Sequence, residues 1–167
     1  MTRFSAFGVE IEASVKEELD RAAEQIPAGT EFEREQTARR AARLSDITKG
    51  SNVLLVNDVP TEMRAPISIL RSLGVLLDVA TSTDEALTRL SLVAYEVVIS
   101  DMQRDTNEAA GIELLDEMRR REYPQPVIFT VGRYEPERGL PPYAFGMTNR
   151  VDELLHLVFD VLERTRG

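Results

Sequence analysis

The sequence predicts an α/β fold, a parallel sheet covered by helices on both faces. Three observations predict it. Four short runs are apolar without alternation, as strands buried on both faces are. Stretches with apolar residues three and four apart separate these runs. Two of the runs close on an acid, Asp58 and Asp101. In an open parallel sheet the crossovers are right-handed, and sites form outside the carboxyl ends of the strands. Both acids would therefore converge on one edge.

The first strand is Asn52-Val53-Leu54-Leu55-Val56, closed by Asn57-Asp58. Ile67, Leu70 and Leu73 mark a helix after it, with Gly74 as its stop and Pro66 either in its first turn or at a kink. Val75 to Ala80 is the second strand. Ser82 with Glu85 caps the next helix, which carries Leu87 and Leu90. Glu96 to Ser100 is the third strand, ending at Asp101, and Ile112, Leu115 and Met118 mark the helix that follows. Pro126 to Val131 is the fourth strand. From Gly132 to Ala144 the prolines Pro136, Pro141 and Pro142 and the glycine Gly139 leave room for a turn and no full helix. Val151, Leu154, Leu155, Val158 and Leu162 form the clearest helical stripe of the chain.

Residues 1–50 differ in texture, being rich in Glu, Arg, Ala and Gln. Ile11, Val15, Leu19, Ala22 and Ile26 lie on one face of a helix that Pro27-Ala28-Gly29-Thr30 ends. Thr30 and Glu33 form a capping box for a second helix, whose candidates for burial are Phe32, Ala38, Ala41, Ala42 and Leu44. Two helices alone bury too little surface to be stable. They are expected to pack on the main domain or on a second copy of the chain, or to form a partner-dependent arm. Lys49-Gly50-Ser51 is the join, giving a helical extension over 1–50 and a main domain over 51–167.

The 167-residue chain has 43% hydrophobic residues, enough for a real core, and a net charge of −9 that argues against a nucleic-acid partner. No window is apolar enough for a membrane span, and Met1–Glu10 lacks the core of a secretory signal, so the cytoplasm is expected. There is no Cys and one His, His156, which excludes thiol chemistry and leaves little for a His-based site. Arg119-Arg120-Arg121 suits a helix C-terminus better than a recognition patch. What remains is oxygen chemistry at Asp58 and Asp101. Two carboxylates at one edge repel unless a cation joins them, and Mg²⁺ prefers oxygen ligands. A carboxylate beside such an ion can attack a phosphoryl group. The alternative is that these acids cap helices or solvate loops.

From Asn52 to Glu163 the sequence resembles a receiver domain of bacterial two-component response regulators. The resemblance is carried by Val53-Leu54-Leu55-Val56-Asn57-Asp58, Ala80-Thr81-Ser82-Thr83-Asp84-Glu85-Ala86-Leu87, Val98-Ile99-Ser100-Asp101-Met102, Gly111-Ile112-Glu113-Leu114-Leu115 and Pro126-Val127-Ile128, in that order. Gly146-Met147-Thr148-Asn149-Arg150 with Asp152-Glu153-Leu154 resembles a divergent, atypical subfamily. The resemblance implies a doubly wound, five-stranded CheY-like (flavodoxin-like) sheet of order 2-1-3-4-5. It further implies a phosphoacceptor at Asp101 and a Mg²⁺ site from Asp58, Asp101 and the backbone carbonyl of Gln103.

Departures accompany the matches. Asn57 stands where receivers carry a first acid. Alignment on Pro126 puts Val131 where receivers turn a Ser or Thr to the phosphoryl group; Thr130 lies one residue early and by strand alternation faces the other way. The aromatic switch position falls on Gly146, beside Phe145, and the phosphoryl-gripping Lys falls on Asn149. Asn149 is expected to cap the last helix, while Arg150 is either solvated surface or the missing cation. The expected protein is an atypical receiver with a weakened or lost phospho-switch, not an enzyme, acting through protein–protein contact with a sensor histidine kinase or another signalling protein. Alternatives are a small Mg²⁺-dependent phosphatase or phosphotransferase, which would lack a general acid at Gln103, and a phosphorylation-independent module. A homodimer through the N-terminal helices or the last helix is a further expectation.

Overall fold

The structure is a computed structural model that describes residues 3–167, with side chains from residue 7 onward. The chain divides into two compact units. One comprises Asn52–Met63 and Leu77–Asn149, the other the described residues as far as Ser51, Arg64–Leu76 and Arg150–Gly167.

The first of these holds the sheet. Its strands are β1 (Asn52–Val56), β2 (Leu76–Ala80), β3 (Val97–Asp101), β4 (Val127–Thr130) and β5 (Gly146–Thr148), in the order β2-β1-β3-β4-β5. The pairings β1–β3, β3–β4 and β4–β5 are parallel. The β1, β3 and β4 runs are buried nearly throughout, so they read as continuous apolar stretches. Helices α5 (Thr83–Leu92) and α6 (Ala110–Arg120) belong to the same unit. Leu54, Val56, Val98, Val127 and Phe129 from the strands meet Ala86, Leu87 and Leu90 of α5 and Leu114, Leu115 and Met118 of α6 in one apolar cluster. Each such side chain contributes about 1.5–3 kcal/mol on full burial.

One expectation, Ile112 on the buried face of its helix, does not hold. Gly111, Leu114, Leu115 and Met118 are the buried positions of α6, and Ile112 is exposed. The rotation follows from Gly111, where a Cβ would lie 2.7 Å from both the Asp101 carbonyl oxygen and Phe129 Cε1. Only a glycine lets α6 begin so close to the end of β3. Between β4 and β5 there is just a 3-10 turn, Pro136–Arg138, as the prolines require.

The second unit is helical: α1 (Arg3–Ala22), α2 (Glu31–Arg43), α3 (Ser45–Thr48), α4 (Arg64–Ser72) and α7 (Val151–Arg166). Thr30 and Glu33 complete the capping box of α2: Glu33 N–H donates to Thr30 Oγ1 at 3.1 Å, and Thr30 N–H to Glu33 Oε2 at 2.7 Å. Val15 and Leu19 of α1, Ala38 and Ala41 of α2, and Ile69 and Leu70 of α4 are buried. Phe32, expected inside, is exposed. Pro66 lies in the first turn of α4, where its missing N–H has no role. The turn between α1 and α2 docks on the start of α7: Val151 N–H donates to the Pro27 carbonyl at 3.0 Å. Gly29, at φ +83°, lies under the Asp152 carboxylate. That carboxylate is buried and holds Arg150 by two bonds, Nε–Oδ1 at 3.1 Å and Nη2–Oδ2 at 2.6 Å. Arg150 is therefore the residue preceding α7, in place of Asn149 as cap, and it uses no side-chain cap bond. Among the described residues no helix is long and apolar enough to cross a membrane.

Candidate functional site

The carboxyl edge of the sheet assembles the site. β1 ends at Val56 and delivers Asn57 and Asp58; β3 ends on Asp101; β4 ends on Thr130. Asp101 and Thr130 are register partners. Alternation puts Phe129 into the apolar cluster and therefore turns Thr130 to the opposite face, which Asp101 shares. Thr130 Oγ1 donates to Asp101 Oδ1 at 2.7 Å. This corrects the expectation that Val131 takes that position and that Thr130 points away. The error came from counting from Pro126, whereas the register is fixed by the pairing of β3 with β4. Val131 lies past the end of β4, its N–H donating to the Thr148 carbonyl at 3.1 Å.

Asn57 is buried, and its Oδ1 accepts from Val59 N–H at 2.7 Å, which turns the chain after β1. Asp58 stays exposed. Its Oδ2 accepts from Asp105 N–H at 2.9 Å, so the loop after β3 is tied to the loop after β1. That loop is a tight hairpin: Arg104 and Asn107 exchange backbone bonds at 3.0 and 2.9 Å, and Asp105 takes a left-handed conformation, φ 53°. Gln103 is exposed beside it.

Burial pushes the Asp101 carboxyl up to about 6; the Thr130 hydrogen bond opposes this, and the negative charge of Asp58 adds to it. A carboxylate so placed is still mostly ionised at neutral pH and is poorly solvated, which favours its use as a nucleophile.

Sequence reasoning passed over Arg104. Its side chain is 6% exposed. Nη1 donates to Ser100 Oγ at 2.8 Å and to the Asp101 carbonyl at 3.3 Å; Nη2 donates to Thr83 Oγ1 at 2.7 Å and to the Ala110 carbonyl at 3.0 Å. An Arg in a polar loop reads as solvated, and nothing in the linear sequence announces the hairpin that folds it inward. Arg150, the other candidate cation, is committed to Asp152 and lies 3.4 Å from Glu33.

The donor set suits Mg²⁺ in kind. Asp58 and Asp101 are oxygen donors whose mutual repulsion is felt at Asp101, and Mg²⁺ uses one or two carboxylates with carbonyl and water oxygens. Among the described residues no group of three or more His, Cys, Asp or Glu forms an all-side-chain metal cage. A bound Mg²⁺ would neutralise charge on phosphoryl oxygens.

The sequence matches no protein-family model and no curated protein. Solved structures do match. The receiver domain of Francisella response regulator 1452 is 24% identical, with a TM-score of 0.61 over 70% of this chain and 99% of its own. A two-component response regulator from Clostridium difficile is 15% identical, with a TM-score of 0.60 over 70% and 99%. Response regulator protein TrrA from Thermotoga maritima, in complex with Mg²⁺-BeF, is 23% identical, with a TM-score of 0.58 over 66% and 98%. The chain has the receiver fold, with acids at the carboxyl ends of β1 and β3.

Proposed function

We propose that the chain is an atypical receiver protein of phosphorelay signalling, phosphorylated on Asp101 and acting through protein–protein contact rather than turnover. The observation that carries this reading is the Thr130–Asp101 hydrogen bond across the β3–β4 register, with Asp58 on the same edge. In the step proposed, an Asp101 carboxylate oxygen attacks the phosphorus of a phosphohistidine or small acyl phosphate. The P–N or P–O bond of the donor breaks, the leaving group keeps its electron pair, and Asp101 becomes an acyl phosphate. Asp58, Asp101 and the Gln103 carbonyl are the proposed Mg²⁺ ligands. A sensor histidine kinase or another cytoplasmic signalling protein is the proposed partner.

Thr130 restores one part of the response that the sequence had removed. The aromatic position remains Gly146, and Asn149 carries no charge, so a muted switch is still the reading. Self-association through the α1 stripe or α7 is not part of it, since Val15 and Leu19 of α1 and Val151, Leu154, Leu155, Val158 and Leu162 of α7 are buried within the chain.

The test is exposure of the full chain to Mg²⁺ with acetyl phosphate or beryllofluoride. A single added phosphoryl mass and amide shifts around β3, both lost in Asp101→Asn, are expected. No adduct and no shift at millimolar donor would overturn the phosphoacceptor.

A further inference from the structure

Arg104 is a buried cation bonded only to neutral oxygens. Its acceptors are the Ser100 and Thr83 hydroxyls and the Asp101 and Ala110 carbonyls. It makes no ion pair among the described residues. Burying an unpaired guanidinium is costly, and folded proteins keep one where its charge is used. The negative charges of Asp101, Asp58 and Glu113 act on it through space. Two of these three are the proposed metal-site carboxylates.

The placement is also mechanical. Ser100 and Asp101 are the last two residues of β3, Thr83 is the first residue of α5, and Ala110 is the first of α6. One guanidinium therefore ties the strand end that carries the acceptor to the first turns of both helices on the apolar-cluster face. Its planar fork suits several fixed acceptors at once, which a lysine ammonium cannot match in geometry.

We propose that Arg104 is the fixed cation of the acidic edge and the positioning residue that couples Asp101 to the starts of α5 and α6. When a phosphoryl group adds negative charge at Asp101, Arg104 supplies the balancing charge without leaving its place. A shift of the Asp101 backbone then passes through the guanidinium to Thr83 and Ala110. The region between β4 and β5 has only a 3-10 turn, so the helix starts on the other side of the strand are the structured elements to which the site is bonded. The proposal rests on the receiver reading and is tested separately from it.

The experiment titrates the full chain, wild type and variants, with beryllofluoride in excess Mg²⁺ and follows backbone amides. In the wild type, saturation with shifts at Thr83 and Ala110 is expected. Arg104→Met is expected to weaken beryllofluoride binding by about tenfold or more and to lose both helix-start shifts. Arg104→Lys keeps the charge and is expected to recover most of the affinity while leaving the Thr83 and Ala110 shifts small. Thr83→Val removes one acceptor and leaves the charge, so it covers the case in which Arg104→Met does not fold. It is expected to keep affinity within roughly threefold and to lose the α5 shift alone. If the wild type responds and Arg104→Met or Thr83→Val matches it in affinity and shifts, the coupling role is wrong and the receiver reading stands. If the wild type does not respond, the receiver reading falls, and the role of Arg104 falls with it.

Discussion

Nη1 of Arg40 lies 2.9 Å from Nδ1 of His156, and that contact fixes the state of the imidazole. Arginine only donates, so Nδ1 must accept and be unprotonated. The proton is then on Nε2, which lies 3.0 Å from Thr37 Oγ1; the Thr37 hydroxyl in turn donates to the Glu33 carbonyl at 2.8 Å. The same guanidinium holds Asp160 at 2.6 Å and Glu163 at 2.7 Å. The lone histidine is a neutral element of the α2–α7 packing, in keeping with the lack of any second His or of Cys in the chain.

Burial, with the Arg40 charge beside it, holds the His156 pKa below its ordinary 6.5. The folded value being depressed, this group's stabilising contribution is present above pH 6.5 and is lost as pH falls through the folded value. The chain has one histidine, so a single imidazole titration by NMR reads it directly. A midpoint at or above 6.5 would show that the Arg40 contact is not kept in solution.

Gly29→Ala tests the docking of the α1–α2 turn. The new Cβ would lie 2.5 Å from Asp152 Oδ2, at a φ of +83° that L residues rarely adopt. A loss of about 2–3 kcal/mol is expected, from backbone strain and displacement of a buried carboxylate. Thermal or urea unfolding measures it; a loss under about 0.5 kcal/mol contradicts the close approach.

Thr130→Val keeps shape and removes the donor to Asp101. The hydrogen bond favours the ionised carboxylate, so its loss is expected to raise the Asp101 pKa beyond about 6. A carboxyl carbon titration in metal-free buffer reads the shift. An unchanged midpoint means the register partner does not hold the acceptor.

Asp101→Asn is expected to stabilise the fold at pH 7 by about 1–2 kcal/mol, a figure already reduced for partial exposure of the site. The raised folded pKa means that ionising Asp101 costs stability as pH rises through about 6, and the neutral amide escapes that cost. The difference between variant and wild type should close as pH falls toward 4. Parallel denaturation curves at pH 7 and pH 4 decide this, and a constant gap would assign the effect to packing.

The parts of the molecule legible in the sequence were those set by near neighbours. The Thr30 and Ser82 helix caps depend on a residue three positions on, and both form as read. The β1 and β3 runs needed only their continuous apolar character. Thr130 is not legible in this way because its facing is decided by Asp101, 29 positions away, through a register that linear counting from Pro126 shifts by one. The shared spacing of Ile112, Leu115 and Met118 points Ile112 inward, while the close approach at Gly111 turns the helix to Leu114. Arg104 was invisible for a related reason. Its burial is a property of the hairpin with Asn107 and of acceptors on three separate elements.

The helical unit is closed by α7, which the ribosome makes after the whole sheet. Between synthesis of α2 and synthesis of α7 lie roughly 100 residues, or about 5–20 seconds of translation. During that interval the turn at Pro27–Gly29 has no Val151 N–H or Asp152 carboxylate to meet, and Arg40 has neither His156 nor Asp160. The faces of α2, α3 and α4 that meet α7 are then a nascent-chain liability rather than a core. A chain stalled before α7 would present those faces to chaperones and proteases, so completion of the helical unit reports that translation has passed the last strand.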